Sequence, residues 1–135
     1  MSAAGCEPLQ KAVYDALVAD SALMALVSGV YDRVPEGAAL PYVVFADSTS
    51  RDASNASDDA ERIALELNVF SRSGGRKQVL DILERLHIAL HHQALALTGG
   101  WRVVWMRAEQ TRVRMLGDGM TWQGATVVLA LVEPV

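Results

Sequence analysis

The chain has 135 residues, 51% of them apolar and 21% charged, which suits a single domain and excludes wholesale disorder, a collagen-like repeat or a coiled coil. Sixteen acidic against twelve basic residues give a formal net charge of -4, the wrong sign for a protein that grips nucleic acid by neutralising phosphates. Cys6 is the single cysteine, so neither an internal disulfide nor a cysteine-based zinc site can form, and a reducing cytoplasm is the expected home.

In chain order, Pro8 opens a stretch in which Leu9, Val13, Ala16 and Leu17 recur at helical spacing, which predicts an amphipathic helix over residues 8–19. Asp20 or Ser21 can cap a second, short helical turn through Leu23, Met24, Leu26 and Val27, ended by Gly29. Residues 30–40, with Pro35 and Gly37, read as a connector. Pro41 then introduces Tyr42, Val43, Val44, Phe45 and Ala46, β-branched and aromatic types that suit a first strand.

Residues 47–60 are fourteen positions with four serines, four aspartates and no large apolar side chain, and they predict a long polar hairpin tip. Ile63, Leu65, Leu67 and Val69 follow, alternating with Arg62, Glu66 and Asn68, the pattern of a strand with one buried face. A tight turn at Gly74 and Gly75 leads to a helix over residues 76–92, with Val79, Ile82, Leu83, Leu86, Ala89 and Leu90 on its core side and an Asp81–Arg85 pair on its surface. Gly99 and Gly100 break the chain before a strand from Trp101 to Met106. The turn at Gly117, Asp118 and Gly119 precedes a final strand from Trp122 to Val132, whose small apolar and β-branched residues read as largely covered on both faces. The expected fold is α+β in two layers: a four-stranded, mainly antiparallel sheet of two hairpins with the helices packed on one face.

No constellation carries chemistry through. His87 and His91 lie one helical turn apart with Glu84 a turn earlier, but a zinc site needs three ligands with supporting groups, and a solvated helix face accounts for the spacing. A metal-dependent enzyme built on His87 and His91 is the reading from another class. Residues 71–77 lack the full phosphate-loop pattern, since Gln78 follows Lys77. Asp58 and Asp59 sit in a long polar loop where they would be hydrated rather than desolvated, Cys6 lies near an untethered terminus, and no serine occupies a nucleophile elbow. No catalytic residue, metal ligand or cofactor site is assigned. Trp101 and Trp105 are expected on one strand face and, with Trp122, to cover the sheet or, where exposed, to mark a subunit interface. No apolar run reaches the ~18 residues needed to span a bilayer, and Met1 to Gly5 lack a basic signal-peptide start, so no membrane is expected.

The order of elements, with Leu40-Pro41-Tyr42-Val43-Val44-Phe45, Leu65-Glu66-Leu67-Asn68-Val69-Phe70-Ser71-Arg72 and the glycine at 75 before the long helix, resembles the tail-completion or tail-terminator proteins of long-tailed phages and gene transfer agents. The resemblance covers most of the chain and rests on packing patterns. It implies a non-enzymatic domain, one across residues 1–135, six copies of which form a ring on the last ring of the tail tube, stop its polymerisation and meet the head connector. The implied partners are further copies of the chain, the major tail tube protein and the head-tail connector (stopper) protein, with DNA passing through the ring without specific binding. Assembly would take place in the bacterial cytoplasm, and the mature location would be a virion or phage-like tail; a head-side stopper or adaptor ring is the neighbouring alternative. Because the family has no fixed contact motif, the interface candidates come from the two polar tips: Arg51, Asp52, Asp58 and Asp59 on the first, Arg112, Arg114 and Asp118 on the second.

Overall fold

A computed structural model describes residues 4–135. Helix α1 spans Cys6–Val18, the single-turn α2 spans Ser21–Met24, and the long α3 spans Lys77–Leu90. The strands are β1 (Gly29–Tyr31), β2 (Tyr42–Asp52), β3 (Glu61–Ser71), β4 (Trp101–Met115) and β5 (Trp122–Pro134). They form one sheet in the order β1-β2-β3-β5-β4, parallel between β1 and β2 and antiparallel elsewhere.

The two hairpins and the single helical layer are as the sequence predicts, but the sheet has five strands and is mixed. The fifth is β1, which runs from the glycine expected to end the second helical turn into the segment that reads as a connector, with Gly29, Val30 and Tyr31 paired to Tyr42, Val43 and Val44. Three residues are too few to show a period of two, so only their neighbour reveals them. Strand β2 also runs six residues past Ala46, to Asp52, through a bulge between Phe45 and Ser48. Its serine- and threonine-rich half pairs because β3 offers a full ladder, and polar side chains are tolerated where one face meets water. The tip between β2 and β3 therefore shrinks to residues 53–60. In the same way β4 extends to Met115, which moves Arg112 and Arg114 from a loop approach onto a paired strand.

The core lies between the helices and one face of the sheet. Leu9, Val13 and Leu17 of α1 and Val79, Ile82, Leu86 and Leu90 of α3 are fully buried against Val43, Leu67, Val69, Val128, Ala130 and Val132. Gly124 of β5 is the point of closest approach: a Cβ there would stand 2.7 Å from Val79 Cγ2 and 2.8 Å from Leu83 Cδ1, so the absence of a side chain lets α3 settle onto the strand. The expected Asp81–Arg85 pair is replaced by two others. Lys77 bonds Asp81 at 2.8 Å, and Arg85 reaches across to Asp20, whose two oxygens accept at 3.1 Å from Nε and Nη2. Asp20 also caps α2 by accepting from the Leu23 N–H at 3.0 Å, and the Arg85 hydrogen bonds hold its carboxyl below the usual range. One carboxylate thus ties both early helices to α3.

Candidate functional site

The groups that could have carried chemistry are occupied with holding the fold. His91 closes α3 and accepts the Ala108 N–H on Nδ1 at 3.2 Å, while its ring stacks on His87 at 4.4 Å and on His92 at 3.8 Å between centroids. Desolvation first, then the neighbouring histidines and Arg107, push its pKa down, which favours the neutral ring that accepting this bond requires. Among the described residues no group of three or more histidine, cysteine or acidic side chains is arranged to hold a metal ion. Ser71, at the turn that loosely resembles a phosphate loop, is buried and donates to Gln78 Oε1. Cys6 is half-buried in the first turn of α1, where desolvation raises its thiol pKa and so works against a reactive thiolate.

The two polar tips sit at opposite ends of the sheet. Glu61 at the start of β3 pairs in register with Val132, and Ser71 at its end with Trp122, so the β2–β3 tip and the β4–β5 turn are separated by the length of β3, about 33 Å at ~3.3 Å per residue. Asp58 and Asp59 are exposed on the first tip, and Arg51 and Asp52 at its root on the end of β2. Short side chains organise this tip: Asn55 Oδ1 accepts from the N–H groups of Ser57 and Asp58 at 3.0 and 2.8 Å, and Ser54 Oγ accepts the Ala60 N–H at 3.0 Å. At the other end Asp118 is committed to its own turn. It accepts from the N–H groups of Met120 and Thr121 at 2.8 and 2.9 Å and from the Thr121 hydroxyl at 2.6 Å, with Arg72 Nη2 at 3.3 Å. The Thr121 hydroxyl above all, with these backbone donors, holds its carboxyl well below the usual carboxylate range.

The face of the sheet away from the helices is the feature that sequence reasoning missed. Register places Arg51, Arg62, Leu131 and Trp105 in one row across β2, β3, β5 and β4, and Thr49, Ala64, Leu129 and Arg107 in the next. Glu66, Val127 and Gln110 form a third row, Val44, Asn68 and Ala125 lead to Arg112 in a fourth, and Tyr42, Phe70 and Gln123 to Arg114 in a fifth. The bulge between Val103 and Trp105 reverses the facing of β4. Trp101 therefore packs against the core and Trp105 lies on the open face, although an uninterrupted strand would have put both on one side. Arg62 and Arg107 stand over the Trp105 ring, 5.5 and 4.6 Å from its centroid. Strand β5, whose sequence reads as covered on both faces, is covered on one: Val127, Leu129 and Leu131 remain half-exposed beneath no helix.

The family of tail completion protein gp17 matches residues 11–133. A chain in the virion of a native gene transfer agent particle is similar over 98% of this chain and 99% of its own, with 30% identity and a TM-score of 0.91. The gp17 protein of bacteriophage SPP1 is similar over 92% of this chain and 88% of its own, with 26% identity and a TM-score of 0.63. No curated protein sequence matches significantly.

Proposed function

The chain belongs to the tail completion protein gp17 family, and from that premise we propose that its copies close a six-membered ring on the end of a tail tube, stop the tube from growing and join it to the head connector. The family consists of structural virion proteins, so the chain is a component of a phage-like particle and not an enzyme. In this reading assembly takes place in the bacterial cytoplasm, the tube protein and the connector stopper are the axial partners, and DNA traverses the ring.

The observation that carries the ring is the separation of the two charged tips. A closed cyclic assembly repeats one heterologous contact, in which a patch on each copy meets a different patch on the next. Asp52, Asp58 and Asp59 lie at one end of the sheet and Arg112 and Arg114 toward the other, too far apart to meet within one copy and complementary between copies. Arg51 flanks the first patch, and Asp118 contributes by shaping the second tip. Electron microscopy of a strain lacking this gene tests the reading. Overgrown tubes or tails detached from heads are expected, and normal-length tails firmly joined to filled heads would overturn it.

A further inference from the structure

We propose that the open face of the sheet, around Arg62, Trp105, Leu129 and Leu131, is the seat for a second copy of this chain, which lays its acidic β2–β3 tip there. The inference rests on the ring reading and extends the basic patch of Arg112 and Arg114 along the same face to Arg107 and Arg62, so that the acidic tip of the next copy lies along this face rather than on the far turn alone.

Three observations converge on it. The residues of β5 are apolar on both sides, but the helices cover only one, so the composition of the strand anticipates a cover that a single copy lacks. Charge then selects the cover. Six of the twelve basic residues, Arg51, Arg62, Arg102, Arg107, Arg112 and Arg114, stand on this face with Glu66, Glu133 and Glu109, which bulges from β4 between Ala108 and Gln110 and pairs with Arg107, leaving six basic against thirteen acidic residues for the rest of the chain. A surface of opposite sign is thus available on every other copy, and its densest part is the tip, where Asp52, Asp58 and Asp59 stand with no basic residue in 52–60.

The third observation is local. Arg51 and Arg62 are direct cross-strand partners, an arrangement of like charges that weakens a sheet unless an anion lies against it. With Thr49, Ala64 and Leu129 they line a shallow depression of about 240 Å³. Arg62 and Arg107 over Trp105 beside an aliphatic floor make the kind of arginine–tryptophan patch that dominates protein contacts, whereas a phosphate backbone would make no use of the floor.

Charge reversal with rescue tests the seat in assembled particles. The variant Arg62→Glu with Arg107→Glu is expected to lose capping, as is Asp58→Arg with Asp59→Arg, and combining all four substitutions in one chain is expected to restore it. In parallel, Leu129→Cys with Asp58→Cys in a Cys6→Ala background should give, on oxidation of purified particles, a ladder of linked copies that neither single cysteine produces. This arm decides the matter if a reversed variant fails to fold. Reversed variants that cap normally, a combined variant that stays inactive, or cross-links from position 129 to a different tail protein would overturn the seat. Six-membered rings without cross-links would overturn the seat while leaving the terminator reading intact, and the deletion phenotype tests that reading separately.

Discussion

The two faces of one sheet are built from the same strands and have different fates. On the covered face Ile63, Leu65, Leu67 and Val69 of β3 are at most 2% exposed beneath α1 and α3. On the open face their neighbours Arg62, Ala64, Glu66, Asn68 and Phe70 are half-buried or exposed, and an arginine-rimmed apolar stripe crosses the middle. The covered face supplies the stability of the single copy through burial, at roughly 25 cal/mol per Å² of apolar surface removed from water. The open face contributes little until another surface meets it, so its residues answer to assembly. The comparison predicts that substitutions separate cleanly into those that unfold the chain and those that leave it folded but unable to assemble.

The sharpest break is a truncation on each side. Leu86→Ala, in the fully buried stripe of α3, should cost about 2–5 kcal/mol, whereas Leu129→Ala on the open face should cost about 1 kcal/mol or less in the isolated chain; denaturant titration of both measures the difference. Equal losses would mean that the open face is part of the folding core. Gly124→Val tests the contact that fits α3 to the covered face. Its added methyls collide with Val79 and Leu83 and should cost about 1–3 kcal/mol, with the midpoint of thermal unfolding lowered accordingly.

A smaller effect belongs to the β4–β5 turn. Asp118→Asn should lower the midpoint by a few degrees at neutral pH, because the amide replaces a carboxylate that accepts four hydrogen bonds. Since folding depresses the Asp118 pKa, its contribution is complete above the unfolded value of about 4 and is lost as pH falls toward the folded one. The difference between the two proteins should therefore shrink between pH 5 and the acid limit, and calorimetric scans across that range check the sign. The smallest effect on stability is expected at the first tip: shortening residues 53–59 should leave the midpoint nearly unchanged while abolishing capping of tubes. A shortened chain that still caps tubes at normal length would reduce that tip to a tolerated insertion.

Alternation from Ile63 to Val69 and the apolar stripe of α3 announced their elements because each is long enough to show its period and each buries one face. Burial also explains why the outer halves of β2 and β4 do not announce themselves as strands: Ser48 to Asp52 is polar throughout, polar side chains predominate in Arg107 to Met115 although Val113 packs against the core, and the ladder offered by β3 and β5 makes both of them strands. The candidate residues at the tips were legible as charge in glycine- and serine-rich segments. Their arrangement was not, because one bulge in β4 before Trp105 turns Trp105 and Arg107 outward and a second before Gln110 keeps Arg112 and Arg114 on the same face, and spacing along the chain carries no mark of either.

The sequence by itself determined the three helical segments, four of the five strands, and the apolar face of α1, α3 and β3. Local periodicity and side-chain type suffice for these. The tertiary structure decided the fifth strand, the true length of both hairpins, the placement of the two tips at opposite ends, and the gathering of half the basic residues on one uncovered face. Each of those depends on which strand lies beside which and in what register, and a ladder such as that of β3 with β5, whose partners lie 51 to 71 positions apart, is specified by mutual burial and hydrogen bonding rather than by any local segment of the chain.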